Sequence, residues 1–304
     1  MIRMGLCCQF IREPIRFRRT TVKSISSLSP GKRLLKLSEL CLHNAGSLFQ
    51  ALKFCAANGI GCFRITSQIL PLKTHPQYGY QVRHLPSGSK IIRCLKECGV
   101  FAAHHNLRLT FHPDQFVVLN PINSDIFKRS LEELKYHAQV AGWTGVDIIN
   151  IHAGGGYGDK QESLRRLEVN IRKLPENILS RLTLENDDRL FTPKDLIPVC
   201  KRLGIPFVYD VFHHRNLPDG LTVGDATSAA LETWNREPLF HLSSPSPQGL
   251  KGYHSDYIRK NDFPKCWRRL DVTVEVEAKA KELAVLKLKR ELNLADQVRE
   301  ITSL

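Results

Sequence analysis

Six short apolar runs of the chain end on an imidazole or a carboxylate. They lead into His112 of FHPDQF, His152 of NIHAGGGYG, Glu185 of LTLENDDR, Asp210 with His213 and His214 in VYDVFHH, His241 of FHLSS, and Glu277 of VEVEAK. One histidine in such a place is more often a satisfied structural residue than a ligand. Six runs that each deliver His, Asp or Glu are another matter, because gathered carboxylates repel one another and lose hydration. Divalent cations remove that cost, and a mixed nitrogen and oxygen ligand set suits Mn2+, Zn2+ or Fe2+ better than Ca2+. The set is too large for one ion, which points to a cluster of two or three with one carboxylate bridging. Such a cluster activates water and stabilises both the attacking and the leaving oxygen of a phosphodiester. Sugar isomerisation or epimerisation is the other class open to it, since it too uses carboxylates and histidines around metals.

For these residues to meet, the elements carrying them must end at a common place. Strand candidates are Ile2–Cys8, Gly61–Thr66, Arg108–His112, Val146–His152, Leu182–Glu185, Phe207–Asp210, Pro238–Leu242 and Val272–Glu277. Helical spacing fills most of the intervals, over Ala45–Asn58, Lys90–His105, Asp125–Gly142, Lys160–Leu174, Thr192–Leu203 and Thr222–Trp234, with a closing helix over Ala278–Val298. The seventh return is less regular, a loop rich in Ser, Pro and Gly and then a shorter segment near Asp262–Arg269. Strand then helix, eight times over, predicts an α/β chain folded as a single-domain (β/α)8 barrel, with its chemistry at the C-terminal strand ends. An open doubly wound sheet would show a Gly-rich turn after its first strand, and GLCCQF is not one.

The same periodicity ranks the remaining candidates. Glu275 shares the inward face with Glu277 and is the alternative for that ligand, since alternation alone does not separate the two. Arg64, Lys160 and Arg189 follow strands two, four and five and are placed to meet phosphates, although each is also an ordinary rim charge. The glycines of AGGGYG would let backbone approach a metal or a phosphate. His214 faces away from His213 and reads as structural, while His43, His104, His105 and His137 lie on helices and have no claim.

Composition sets the outer bounds. Across 304 residues the chain carries a net charge of +14, and a basic surface binds polyphosphates whatever their sequence. No run of 18 apolar residues exists to span a membrane. The nine cysteines are scattered, mostly among apolar neighbours, as expected of buried thiols in a reducing cytoplasm; Cys94 and Cys98 have no second pair to complete a zinc site. A monomer is expected, associated with the nucleoid when bound to DNA. The basic stretch Arg12–Leu37 has the composition of an organellar presequence. MIRMGLCC before it reads as a buried strand, so the stretch is taken as a long first loop.

Taken together, FRITSQILPL, HPDQFVVLNP, LENDDRL, YDVFHH, GYHSDYI and EAKAKE resemble the UV-damage endonucleases, relatives in fold of endonuclease IV and the xylose-isomerase-like barrels. The likeness runs to about Glu282, which implies a barrel over 1–282 and a helical extension over 283–304. It implies metal ligands at His112, His152, Glu185, Asp210, His213, His241, His254 and Glu277, with Glu185 bridging and Glu185, Glu277, Asp210 and His241 carrying the chemistry. Two or three ions are implied, Mn2+ in the first place and Zn2+ or Fe2+ in the second. The implied substrate is damaged double-stranded DNA, nicked 5′ to UV photoproducts or related lesions to leave 3′-hydroxyl and 5′-phosphate ends. Gln115 and Phe116 fall on the pair that probes the lesion, where relatives often carry tyrosine in the second place. Three positions depart from the family. Leu239 stands where a modified lysine can serve the metals, and Leu6 and Phe10 replace a tyrosine and an asparagine near the lesion, with Gln9 close by. These departures also keep open a catalytically weak, DNA-binding relative.

Overall fold

A computed structural model of the chain describes residues 1–249 and 252–294. The apolar runs pair edge to edge as eight parallel strands: β1 Ile2–Cys7, β2 Cys62–Ile65, β3 Arg108–Phe111, β4 Ile148–His152, β5 Leu182–Glu185, β6 Phe207–Asp210, β7 Leu239–Leu242 and β8 Val272–Val276. They close in chain order, with Gly5 of β1 level with Cys62 on one side and Glu275 on the other. Around them run α1 Val22–Ser26, α2 Pro30–Ala57, α3 Gly88–His104, α4 Ser124–Thr144, α5 Lys160–Ile171, α6 Glu176–Leu179, α7 Pro193–Leu203, α8 Val211–Asn216, α9 Val223–Leu231 and α10 Lys281–Glu291. This is the (β/α)8 barrel that the alternating pattern predicts.

Local chemistry explains where several helices start and stop. Asn123 caps α4 by accepting from the Asp125 amide, and the helix ends at Gly145 with φ of 76°. Thr192 and Asp195 form a reciprocal cap on α7, which stops at Gly204 with φ of 67°. Other bounds differ from the sequence expectation. Residues 12–37 are not one long loop, since they contain α1 and the first two turns of α2, which begins at Pro30 rather than Ala45. The buried face of α2 runs through Leu37, Cys41, Ala45, Leu48 and Leu52 at helical spacing, while the surrounding charges mask the first part of that stripe. The closing helix starts at Lys281, later than Ala278, because the preceding turn is held by Lys279 and Ala280 amides donating to the Ser255 and Asp256 carbonyls. Its anticipated last residues, 295–298, lie outside the described residues.

Alternation along the strands sorts the interior into layers. Toward the N-terminal end, Leu239 joins Ile148 and Val208 in a fully buried apolar cluster against Trp234. That end is closed by charged pairs, Arg3 with Glu237 at 2.8 Å and Arg108 with Asp147 at 2.8 Å. Above the apolar layer lie Arg64, Thr110, Asn150, Thr183, Glu185, Asp210, His241 and Glu275, all buried. Gly5 makes this polar layer possible, since a Cβ there would meet Glu275 Cγ at 2.9 Å and Cys62 Cβ at 3.3 Å. Leu6 and Phe10 point the other way, into the main core, with Phe10 packed against Phe54 and Phe63. All nine cysteines are free thiols, six of them buried.

Candidate metal centre

Glu185, fully buried at the end of β5, is the hub of the C-terminal mouth. His112 Nε2 of the β3 end lies 2.9 Å from its Oε2, and His241 Nδ1 of β7 lies 3.0 Å from its Oε1. His213 Nδ1 is 3.4 Å away and His152 Nε2 4.0 Å away. Asn150, one inward step before His152 on β4, donates to Oε2 at 2.5 Å and fixes the carboxylate from below. Asp210 closes the opposite side, with Oδ1 accepting from the His213 amide at 2.8 Å to start α8. Its other oxygen, Oδ2, lies 3.6 Å from His213 Nδ1 and is buried without a hydrogen-bond partner among the described residues, as is His152 Nδ1.

His241 is held between two levels. Its Nδ1 faces Glu185 and, at 3.7 Å, Glu277, while its Nε2 faces Glu275 Oε2 at 3.1 Å. Burial pulls the imidazolium down more than any single neighbour raises it, but the Glu185 and Glu275 carboxylates together outweigh it and raise the pKa to about 10. His213 is likewise raised: burial opposes its charge, and Asp210, Glu185 and Glu277 together overcome that cost. His152 goes the other way, to about 4, because burial dominates there. Glu185 stays well below the usual carboxylate range despite its burial, under the influence of His241 first and then of His152. Asp210 is raised, chiefly by burial. The directions describe acidic groups that hold protons on neighbouring imidazoles when no cation shares the site.

Ligand atoms within 4.8 Å of one another form three groups: His112, His152 and Glu185; then Glu185, Asp210 and His213; then Asp210, His241 and Glu277. Glu185 and Asp210 each belong to two groups, so the three form one chain along the mouth. The donor set of imidazoles and carboxylates, with Asp210 Oδ2 and His152 Nδ1 lacking hydrogen bonds, fits divalent cations. Seven of the eight residues singled out in the sequence are therefore brought together. The eighth, His254, stands apart, with Nδ1 3.9 Å from Glu277 Oε2. It is presented by a small antiparallel turn in which Pro245 bridges His254 and the Ser246 amide donates to the Tyr253 carbonyl.

Other candidates fall differently. Arg64 is not a phosphate contact: it is 7% exposed, beneath the mouth, with Nε 2.5 Å from Glu275, Nη1 2.6 Å from Glu277 and Nη2 2.8 Å from His241 Nε2. It sits on an inward position of β2, among Glu275, Glu277 and His241. Lys160 is paired with Asp195 at 2.6 Å and lies over the Phe191 ring. Arg189 extends from the rim with its side chain 88% exposed. Gln9 and Gln115 are exposed, and Phe116 is 78% exposed at the tip of a turn, where the Val117 amide donates to the Asp114 carbonyl. Phe116 therefore does not close the core. The glycines after His152 serve the loop itself: a Cβ at Gly154 would collide with Asn120 Oδ1, and the Gly155 carbonyl accepts from Asn120 Nδ2. His214 is structural, bonded to Tyr209 at 2.7 Å and Asp219 at 2.9 Å.

Asn150 and Asn186 went unnoticed in the sequence. Asn186 ties β5 to β6 by donating to the Asp210 carbonyl at 2.9 Å and accepting from its amide at 3.0 Å. The inward alternation of β4 is a signal that finds Asn150, whereas nothing in the pattern marks Asn186.

The profile of the family described as UV-endonuclease UvdE matches residues 2–304. The chain belongs to this family. Within it, a UV DNA damage endonuclease of Bacillus velezensis is 32% identical over 293 residues, covering 92% of this chain and 90% of the relative. The crystal structure of SacUVDE superposes with a TM-score of 0.87 at 33% identity, covering 97% of this chain and all of that one (100%). Endonuclease IV from Thermus thermophilus, at 15% identity and a TM-score of 0.58 over 96% of this chain and 97% of its own, shares the fold. UvdE membership makes the chain a DNA-damage endonuclease in class, with DNA as its substrate. No helix among the described residues is long and apolar enough to cross a membrane.

Proposed function

We propose that this UvdE member is a multi-metal endonuclease that nicks duplex DNA on the 5′ side of UV photoproducts and related lesions, leaving 3′-hydroxyl and 5′-phosphate ends. The observation that carries the proposal is the continuous chain of three ligand groups sharing Glu185 and Asp210. His112, His152, Glu185, Asp210, His213, His241 and Glu277 would hold two or three divalent cations, Mn2+ in the first place, with His254 completing the set on the Glu277 side. When bound, the cations supply an activated water and neutralise charge on the attacking and leaving oxygens.

The chain's own groups do the rest. Pro113 O accepts from His112 Nδ1 at 3.1 Å, which leaves Nε2 as the nitrogen facing the mouth. Glu275 Oε2 lies 3.1 Å from His241 Nε2, on the side of the ring away from the Nδ1 that faces Glu185. Arg64 neutralises Glu275 and Glu277 from below, so that the layer beneath the mouth is not a second pool of unpaired charge. Gln115 and Phe116, at the tip of their turn, enter the stack where a lesion weakens it. Gln9 and Arg189 are the further exposed contacts on the rim.

The test is nicking of UV-irradiated supercoiled plasmid with Mn2+, with EDTA, and by Glu185→Ala. Wild type should nick the irradiated plasmid with Mn2+ alone, and the variant should fall at least about a thousandfold, equivalent to roughly 4 kcal/mol of transition-state stabilisation. Well-folded protein that never nicks, or a Glu185→Ala variant with full activity, would remove the proposal.

A further inference from the structure

Between Gln9 and Ser38 the chain has eight lysines and arginines and one acid, Glu13. Such a run is ordinarily a solvated, mobile stretch. Here its first half is built into the fold from both ends. Glu282, 1% exposed, accepts from the amides of Ile11 at 2.9 Å and Arg12 at 2.7 Å. Asn44, fully buried, accepts from the Arg18 amide at 2.7 Å and donates to the Arg18 and Ile69 carbonyls at 2.9 and 3.0 Å. Between these anchors Ser47 donates to the Arg16 carbonyl at 2.8 Å, and Phe17 turns inward to stack on Phe63.

The result is a fixed strap along the rim. It leaves the barrel at Cys8, whose amide donates to the Arg64 carbonyl at 3.0 Å, passes the β8 end near Glu282, and reaches the loop after β2 at Ile69. Its residues alternate: Ile15 and Phe17 are partly covered, while Arg12, Arg16, Arg18 and Arg19 are exposed. Arg16 folds back on the strap's own carbonyls, including Ile15 O at 2.9 Å. Arg12, Arg18 and Arg19 form no salt bridge with any carboxylate among the described residues. Surface cations elsewhere behave otherwise, as in Arg165 with Glu162, Lys201 with Glu232 and Arg202 with Glu168.

We propose that Arg12, Arg18 and Arg19 are a phosphate rail that grips the DNA backbone beside the metal mouth without reading sequence. The proposal rests on the endonuclease reading above. A fixed backbone matters because the cost of ordering it is met in folding rather than in binding. Arginine suits the role, since its planar fork pairs with phosphate oxygens in two-point fashion. Extended over its ten steps, the segment from Gln9 to Arg19 spans at most roughly 36 Å, enough to follow several phosphates of one strand.

The experiment is equilibrium binding of a fluorescently labelled, undamaged duplex in EDTA, from 50 to 200 mM NaCl. Wild type is compared with the double variants Arg18→Ser/Arg19→Ser and Lys201→Ser/Arg202→Ser. The second pair removes the same charge from the C-terminal end of α7, at the opposite end of the barrel. The strap variant should lower the slope of log K against log salt by about 0.9 for each lost phosphate contact, or about 1.8 in all, while the α7 variant leaves it unchanged. An unchanged slope in the strap variant, or an equal fall in both, overturns the rail while wild-type nicking preserves the endonuclease. If wild type neither binds DNA nor nicks irradiated plasmid, the endonuclease reading fails, and the rail with it.

Discussion

Glu275 lies one inward step deeper than Glu277 and takes a different part. It meets no open mouth; its partners are Arg64, Thr110 and His241. Burial would raise its pKa, yet Arg64 first and His241 next bring it down to about 2, so it stays ionised behind the imidazole. A carboxylate behind a coordinating histidine fixes the ring and its tautomer, and loss of such a partner typically costs about 10- to 100-fold in metal affinity. Glu275→Gln should therefore weaken Mn2+ binding by that factor, read by competition with a chromophoric chelator, with the thermal midpoint checking the fold. Affinity equal to wild type would assign Glu275 to packing alone. At this scale the candidate ligands were legible as a group that converges, because His, Asp and Glu at the ends of apolar runs have few other reasons to recur. Arg64 was misread because its side chain type suggests the surface, while its register on β2 places it among carboxylates. Choosing Glu277 over Glu275 as the candidate ligand relied on the resemblance of EAKAKE to the family, since alternation faces both inward.

At the scale of elements, strands were easier to locate than helix starts. Buried parallel strands are continuous apolar runs bounded by polar turns, so their ends lie within two residues of expectation. The start of α2 was hidden in a basic stretch, and α8 is only a short turn capped by Asp210, too brief to show a period. The loop between β3 and α4 shows how an element can aim one residue. Val117 and Leu119 are buried, the Val118 amide donates to Ser130 Oγ at 3.1 Å, and Asn120 donates to Ser163 at 2.7 Å. Phe116 stands out from this fixed base with little to lose in stability if truncated. Phe116→Ala should leave the thermal midpoint within about 1 °C, since exposed substitutions typically stay within ±0.5 kcal/mol. It should also lower nicking of irradiated over undamaged DNA by roughly 5- to 150-fold, as loss of about 1–3 kcal/mol of base stacking requires. An undiminished preference for damage in that variant would count against the turn as the probe.

For the molecule as a whole, stability is linked to protons by a residue that is not among the proposed contacts. His137 on α4 is 1% exposed, packs edge-on against Phe111 at 4.9 Å, and donates from Nδ1 to the Glu133 carbonyl at 2.7 Å. Burial lowers its pKa from 6.5 to about 4. The unfolded chain therefore takes up this proton first as pH falls. The stabilising contribution is whole above about pH 6.5 and is lost progressively toward pH 4. Glu237 and Asp219, also depressed in the folded state, follow the same sign at lower pH, below the ordinary carboxylate range. The windows are thus separable. His137→Leu, which cannot titrate, should lose less stability than wild type between pH 7 and 4.5. The difference should grow to the order of 2–3 kcal/mol at the acid end, at about 1.36 kcal/mol for each tenfold loss of proton affinity on folding. Urea midpoints for the two proteins in EDTA, measured across that range, give the comparison directly, and the site histidines cancel because both proteins carry them. Curves that run parallel from pH 7 to 4.5 would mean that His137 is not the buried neutral group described, whatever the absolute stabilities prove to be.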